Sequence, residues 1–206
     1  MTVYSWDDVT QMRVPWREFA PQGTALTVGS FDGPHRGHTA IFDQILARRR
    51  PPPSDPAQSS LIPGVVTFAR PPAALYEGAL FPGMVCTLEN RLKFFQQKGF
   101  VFTILIDFSE KFATIDGGVF LSALVQNCGM RFLAESTDFR LGYRGAFDVP
   151  AIRDASLRLG FQFMVVPPVM HGSGRISSSR MRQAILAGDF ELAGAMLGRP
   201  SEHRLL

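Results

Sequence analysis

The sequence predicts an α/β protein with a mostly parallel central sheet and helices on both faces. Three observations carry that expectation. Short apolar runs of strand length recur along the 206 residues. They alternate with segments of roughly 10 to 15 residues whose apolar positions follow helical spacing. Those segments tend to open on a capping residue and close on a glycine. Strand, crossover helix and strand in succession build right-handed units and a sheet buried on both sides. The composition, 46% hydrophobic with 18 Phe, supplies one good-sized core, whereas a second full domain would be cramped at this length. Residues 1–206 are therefore expected to form a single domain.

In chain order, "TALTVGS" (Thr24 to Ser30) reads as a short buried strand. Ala40 to Arg50, with Ile41, Ile45 and Leu46 at helical spacing, reads as the following helix. "RPPPSDPAQSS" from Arg50 to Ser60 is a Pro/Ser-rich surface loop, and "GVVTFA" after it is a second strand. Thr87 caps "LENRLKFFQQKG", which Gly99 ends, and "FVFTILIDF" is the clearest strand because aromatic and β-branched residues dominate it. Asp116 caps "GGVFLSALVQNCG". "RFLAES" is a weaker strand, followed by the glycine-punctuated loop "TDFRLGYRGAFD", the helix "VPAIRDASLRLG" and the strand "FQFMVVPP". The tail, "SSSRMRQAILAGDFELAGAMLGRP", reads as two short helices broken near Gly188 and Asp189, a helical C-terminal segment over 177–200.

Composition also excludes function classes. No window approaches about 18 uninterrupted apolar residues, and the start, "MTVYSWDDVTQMRVPW", has neither the basic head nor the apolar run of a signal peptide. A cytoplasmic protein with no membrane partner is expected. Cys86 and Cys128 form no CxxC pair and have no local His beside them, which argues for buried reduced thiols rather than zinc or a disulfide. Net charge is +3, which permits an anionic partner. The one dense basic run, Arg48 to Arg50, precedes three prolines and reads as a solvated helix end. Basic and aromatic residues do not interleave as single-strand binding requires, so no nucleic-acid partner is expected.

Ligands of such sheets sit outside the carboxyl ends of the strands, which directs attention to "GSFDGPHRGHTAIF" (Gly29 to Phe42). If the helix begins near Gly37, His35 lies in the loop before it and His38 in its first turn. Free backbone N–H groups and the positive end of the dipole face the same space, which suits phosphate oxygens. Both imidazoles can donate N–H, and Gly37 lets a phosphate approach the backbone closely. Chance would give HxGH roughly 0.007 times in a chain of this composition. Zinc is disfavoured because no third ligand stands at recognisable spacing. In "ISSSRMR", Ser177, Ser178 and Ser179 precede a helical pattern with Arg180 and Arg182 close by, a second place where hydroxyls, free amides and guanidinium groups meet phosphate.

HxGH after the first strand resembles the signature of the nucleotidyltransferase superfamily. The longer "VGSFDGPHRGH" resembles the adenylyltransferase domain of prokaryotic FAD synthetase, with its G-N-F-D-G-V-H-x-G-H stretch. "STDFRLG" resembles that family's G-x-D/N-F-x-F-G loop, and "ISSSRMRQAILAGDFELAGAMLGRP" its I-S-S-T-x-I-R segment and following helices. The resemblance spans roughly Thr24 to Pro200 with three motifs in order. It implies a Rossmann-like nucleotidyltransferase fold and transfer of AMP from ATP to FMN, giving FAD and pyrophosphate.

The resemblance also implies site residues. His35, His38 and Arg182 would be catalytic, with Arg182 on the β- and γ-phosphates. Gly29, Ser30, Phe31, Asp32, Gly33, Gly37, Ser177, Ser178, Ser179 and Arg180 would bind ATP, Asp32 as a turn-stabilising residue rather than a metal ligand. Phe68, Arg70, Pro72, Asp138, Phe139 and Leu141 would bind FMN. Mg²⁺ would arrive on ATP and keep several waters. The chain departs from the family pattern at Arg70 and Pro71, which replace a Pro and a His. It also departs at Ser30 for Asn, Ser136 for Gly, Leu141 for Phe and Ser179 for Thr. Arg70 reads either as a new phosphate contact or as a solvated charge. An adenylyltransferase acting on another phosphorylated acceptor and a non-catalytic nucleotide or flavin binder stand as alternatives. Bifunctional members continue after "LGRP" into a riboflavin kinase barrel, whereas this sequence ends at Leu206. A separate riboflavin kinase is therefore the expected supplier of FMN.

Overall fold

The computed structural model describes residues 1–49 and 60–200. The strands are β1 (Thr2–Ser5), β2 (Thr24–Val28), β3 (Ile62–Phe68), β4 (Phe102–Ile106), β5 (Met130–Ser136), β6 (Gln162–Val166), β7 (Met170–His171) and β8 (Gly174–Arg175). The helices are α1 (Trp6–Thr10), α2 (Trp16–Phe19), α3 (Arg36–Ala47), α4 (Pro72–Glu77), α5 (Leu88–Lys98), α6 (Glu110–Ala113), α7 (Gly117–Cys128), α8 (Val149–Leu159), α9 (Ser178–Leu186) and α10 (Phe190–Leu197). The Pro/Ser-rich loop expected from Arg50 to Ser60 lies, apart from Ser60, outside the described residues.

β1 to β6 form one sheet in the order β1-β4-β3-β2-β5-β6, every neighbouring pair parallel, and β7 and β8 form a small antiparallel hairpin apart from it. The chain runs outward from β2 through β3 to β4 and then crosses back to β5 on the other side of β2. The strand order thus reverses between β2 and β5, and the crevice at their carboxyl ends is where ligands of such sheets bind. β2 is buried along its whole length, as the centre of a sheet covered on both faces must be.

Each face has its own core. On one side Leu26, Val66, Phe102, Ile104 and Leu133 pack with Leu121 and Leu124 of α7 and Ile152 of α8. On the other, Ala25, Val65, Phe132 and Ala134 pack with Phe42 and Ile45 of α3 and Phe95 of α5. Met181 and Ile185 of α9 and Met196 and Leu197 of α10 make a third cluster with Val85. This is the α/β fold with a mostly parallel sheet that the sequence predicts.

Several elements differ from expectation. α3 begins at Arg36, about one turn before Ala40, because His35 caps it. Arg48 is half-buried with its guanidinium 4.1 Å from the Phe132 ring centre, so the basic run is not wholly solvated. β1 and α1 have no counterpart in the reading of the sequence. β1 is a four-residue edge strand on β4 and mostly exposed, so it lacks the apolar run that marks a buried strand. α1 does carry a local signal, a capping box between Ser5 and Asp8.

Candidate active site

The start of α3 is built by two histidines. His35 is the N-cap, and its Nδ1 accepts from the His38 backbone N–H at 3.2 Å, while His38 Nδ1 accepts from the His35 N–H at 3.4 Å. This is a reciprocal capping box made with imidazoles in place of the usual hydroxyl and carboxylate. The rings stack with centres 3.6 Å apart and planes 14° apart. Because each Nδ1 is an acceptor, each ring carries its proton on Nε2, and both histidines line the central cleft. Burial is the main reason His35 stays neutral, its pKa pushed down to about 4. Burial, with the neighbouring His35, holds His38 well below its usual range. Gly37 packs close under the stack: a Cβ there would sit 3.1 Å from Cε1 and Nδ1 of the His35 ring, which would have to give by a few tenths of an ångström. The room expected for phosphate at this glycine is therefore bounded by the imidazole.

Behind this loop lies a second layer of polar contacts. Asp32, 1% exposed, accepts from the Val85 amide at 2.9 Å and the Cys86 amide at 3.2 Å, and pairs with Arg182 at 2.6 Å. Gly33 has φ +60°, and a Cβ on it would meet Val85 Cγ1 at 2.4 Å, so only glycine fits both backbone and packing. Arg91, fully buried on α5, donates to the carbonyls of Ser30, Phe68 and Ala69, tying the loop after β2 to the loop after β3. Phe31 holds a positive φ of 47° and wedges its ring edge-on against His38, Phe42 and Phe95.

The N-terminus of α9 meets the same cleft. Ser177 caps it by accepting from the Arg180 amide, Ser178 Oγ donates to the Asp32 carbonyl at 3.3 Å, and both serines line the cleft. Two helix starts thus bring first-turn amides and positive dipole ends to one place.

The cleft, with a volume of 530 Å³, continues into an apolar chamber walled by Phe68, Tyr76, Phe108, Phe112, Phe120 and Phe139. Asp138 stands at this chamber in a half-exposed ion pair with Arg175, 2.6 Å apart. At the carboxyl end of β5, Glu135 is buried and lines the cleft. Burial pushes its carboxyl well above the ordinary carboxylate range, against the opposing pull of the Val28 amide and the Thr27 hydroxyl.

Thirteen of the expected site residues line this one cleft: Gly29, Ser30, Phe31, His35, Gly37, His38, Phe68, Pro72, Asp138, Phe139, Leu141, Ser177 and Ser178. Others stand elsewhere. Asp32 and Gly33 lie behind the loop as its anchors, more than the turn residue Asp32 was expected to be. Arg182, expected on the triphosphate, is engaged with Asp32 and lies 5.5 Å from the Phe81 ring centre. Arg180 is committed to the β7–β8 hairpin, donating to the carbonyls of His171, Gly174 and Arg175. Ser179 and Arg70 are exposed and outside the cleft lining. Sequence reasoning missed Glu135, Arg91 and Arg175. Arg91 alone left a local signal, since it lies three residues after Leu88 and four before Phe95, on the buried face of its helix.

Residues 18–180 match the model of a family described as FAD synthetase. A bifunctional riboflavin kinase/FMN adenylyltransferase of Escherichia coli (strain K12) is 31% identical over 183 residues, covering 88% of this chain and 56% of that protein. A putative bifunctional riboflavin kinase/FMN adenylyltransferase of Geobacillus thermodenitrificans is 30% identical, covering 86% of this chain and 91% of its own length. The chain therefore spans a little over half the length of the first of these relatives. Among solved structures, one titled a macrolide-efflux protein from Streptococcus pneumoniae superposes with a TM-score of 0.78 at 24% identity, over 98% of this chain and 61% of that one. A pantoate-beta-alanine ligase from Francisella tularensis, complexed with beta-gamma ATP and beta-alanine, gives 0.56 at 13% identity, over 90% and 77%. At these identities the two structures speak to fold alone.

Proposed function

Because the chain belongs to the FAD synthetase family, we propose that it transfers AMP from ATP to FMN, releasing pyrophosphate and forming FAD. An FMN phosphate oxygen attacks the α-phosphorus in line, and the bond from that phosphorus to the oxygen bridging to the β-phosphorus breaks. The chain forms no covalent intermediate. The observation that carries the reading is the stacked His35–His38 pair, both rings on the cleft with their protons on Nε2.

In this reading the two Nε2–H groups, the first amides of α3 and α9, and Ser177 hold phosphate oxygens as charge builds on the leaving pyrophosphate, and Ser178 joins them by turning its hydroxyl from the Asp32 carbonyl. Positioning and preorganised donors then supply most of the rate. Arg182 exchanges Asp32 for the β- and γ-phosphates when ATP enters. The aromatic chamber takes the flavin ring, with Phe68, Pro72, Phe139 and Leu141 on its walls and Asp138 at its rim. Mg²⁺ would arrive on the triphosphate with phosphate and water as its main ligands, since of the carboxyls on the cleft Asp138 is paired with Arg175 and burial disfavours ionisation of Glu135. The helical segment 177–200 works as part of one adenylyltransferase unit, joined to the loop after β2 through Asp32. The FMN consumed is the product of a riboflavin kinase reaction.

The test is direct. Purified protein incubated with ATP, Mg²⁺ and FMN is expected to yield FAD and pyrophosphate in equal amounts, resolved by chromatography. Pyrophosphate formed only with a different phosphorylated acceptor, or no turnover at all, overturns the reading.

A further inference from the structure

β2 and β5 pair as far as Leu26 and Leu133. Beyond that point the strands part at the reversal of strand order, and the Val28 amide points into the opening, while the amide of the next residue, Gly29, bonds back to Val66 of β3. The Glu135 side chain fills the gap. Its Oε1 accepts from the Val28 N–H at 2.6 Å and from the Thr27 hydroxyl at 3.2 Å. Both bonds fall on the same oxygen. The other oxygen, Oε2, takes neither of these bonds, and Glu135, 2% exposed, lines the same cleft as Gly29, Ser30, His35 and His38.

We propose that Glu135 is a ligand-contacting residue of this cleft, hydrogen bonding through Oε2 to a phosphate oxygen of the bound nucleotide. The inference rests on the ATP reading given above. An ionised carboxylate here would repel a phosphate, but a carboxylic acid donates to it. With Oε1 taking two donors, the proton belongs on Oε2, the oxygen left for the cleft. Burial favours the same neutral form, as in sites where an acid is kept protonated so that it can donate. An approaching phosphate disfavours ionisation further, so ligand and proton reinforce each other. The histidines present N–H donors from the α3 side, and Glu135 adds an O–H donor from the β5 side. A phosphate between them is held from both walls of the crevice.

Calorimetric titration with a non-hydrolysable ATP analogue, and with adenosine beside it, tests this on the wild type, Glu135→Gln and Glu135→Leu. The amide of Gln keeps an acceptor for Val28 and puts N–H in place of O–H, so its affinity for the analogue is expected within about threefold of wild type. Leu supplies neither, and a loss of tenfold or more is expected for the analogue, on the scale of one hydrogen bond to a charged group. Adenosine affinity is expected to stay level across all three, which a merely structural defect would not allow. Equal losses for analogue and adenosine, unchanged analogue affinity in Glu135→Leu, or a wild type that does not bind the analogue would each overturn the proposal. Should Glu135→Leu not fold, Glu135→Gln decides: a tenfold loss in a folded Gln variant overturns it, and retained affinity supports it. FAD formation by the wild type is scored separately. Analogue binding without FAD overturns the FMN reading and leaves the Glu135 comparison valid.

Discussion

At the residue scale the informative feature is that the histidines act as caps before they act on any ligand. Their spacing was legible because all its parts are contiguous: a strand, a glycine and two imidazoles around the first turn of a helix. Their tautomer was not, since it depends on the reciprocal bonds from each backbone N–H to the other ring. On the proposed mechanism, His38→Ala removes one Nε2–H donor and is expected to lower kcat by about 10²- to 10³-fold, the usual cost of one transition-state donor. The Kd for ATP should move by less than tenfold, and unchanged turnover would remove the residue from its assigned role. A pH consequence follows from neutrality. The unfolded His35 takes a proton near 6.5 and the folded one only near 4, so between those values the unfolded chain binds more protons. Stability is then lost as pH falls from about 6.5 to about 4, by roughly 3 kcal/mol from this group, and His38 acts in the same direction. Urea midpoints measured at pH 7 and pH 5 should fall for the wild type and fall less for His35→Gln. Glu135 works in the opposite sense: its folded pKa is raised, so it costs stability as pH rises above its unfolded value.

At the scale of elements, β2 to β6 and the longer helices were legible because each carries its own signal. Thr87, Asp116 and Asp148 each cap the helix that follows by accepting backbone N–H bonds. Gly99, Gly129 and Gly160 end those helices in the left-handed conformation. What one element does to another was not legible. Arg91 sits on the buried face of α5, yet its partners are carbonyls of two loops that meet only because β2 and β3 are neighbours in the sheet. Glu135 is similar: "RFLAES" reads as a strand with a polar end, and its bond to Val28 exists only because β2 and β5 diverge. Arg91→Leu would leave these carbonyls without their donor in a dry setting. It is expected to destabilise the fold by about 3 kcal/mol or more, read as a lower urea midpoint with an unchanged slope. A loss under about 1 kcal/mol would mean that water reaches those carbonyls.

At the scale of the whole molecule, Asp32 joins three parts of the chain: the loop after β2, the Val85–Cys86 segment and α9 through Arg182. The sequence placed Asp32 in a turn and Arg182 on a triphosphate, and neither motif discloses that the two residues, far apart in the chain, form one buried pair. On the proposed mechanism the pair makes ATP binding and stability depend on each other. If ATP draws Arg182 from Asp32, part of the binding energy goes into breaking a contact in which Asp32 is 1% exposed and the Arg182 side chain 13%. Asp32→Asn keeps an acceptor for the two amides and removes the charge that holds Arg182. Without ligand, its Tm should therefore fall, by several degrees for a loss of about 2 kcal/mol. Saturating ATP should then raise the Tm of the variant by more than it raises that of the wild type, because binding no longer has to separate the pair. Thermal unfolding of both proteins with and without ATP reads the difference. Equal shifts would mean that Arg182 stays with Asp32 throughout, and that the phosphates are held without it.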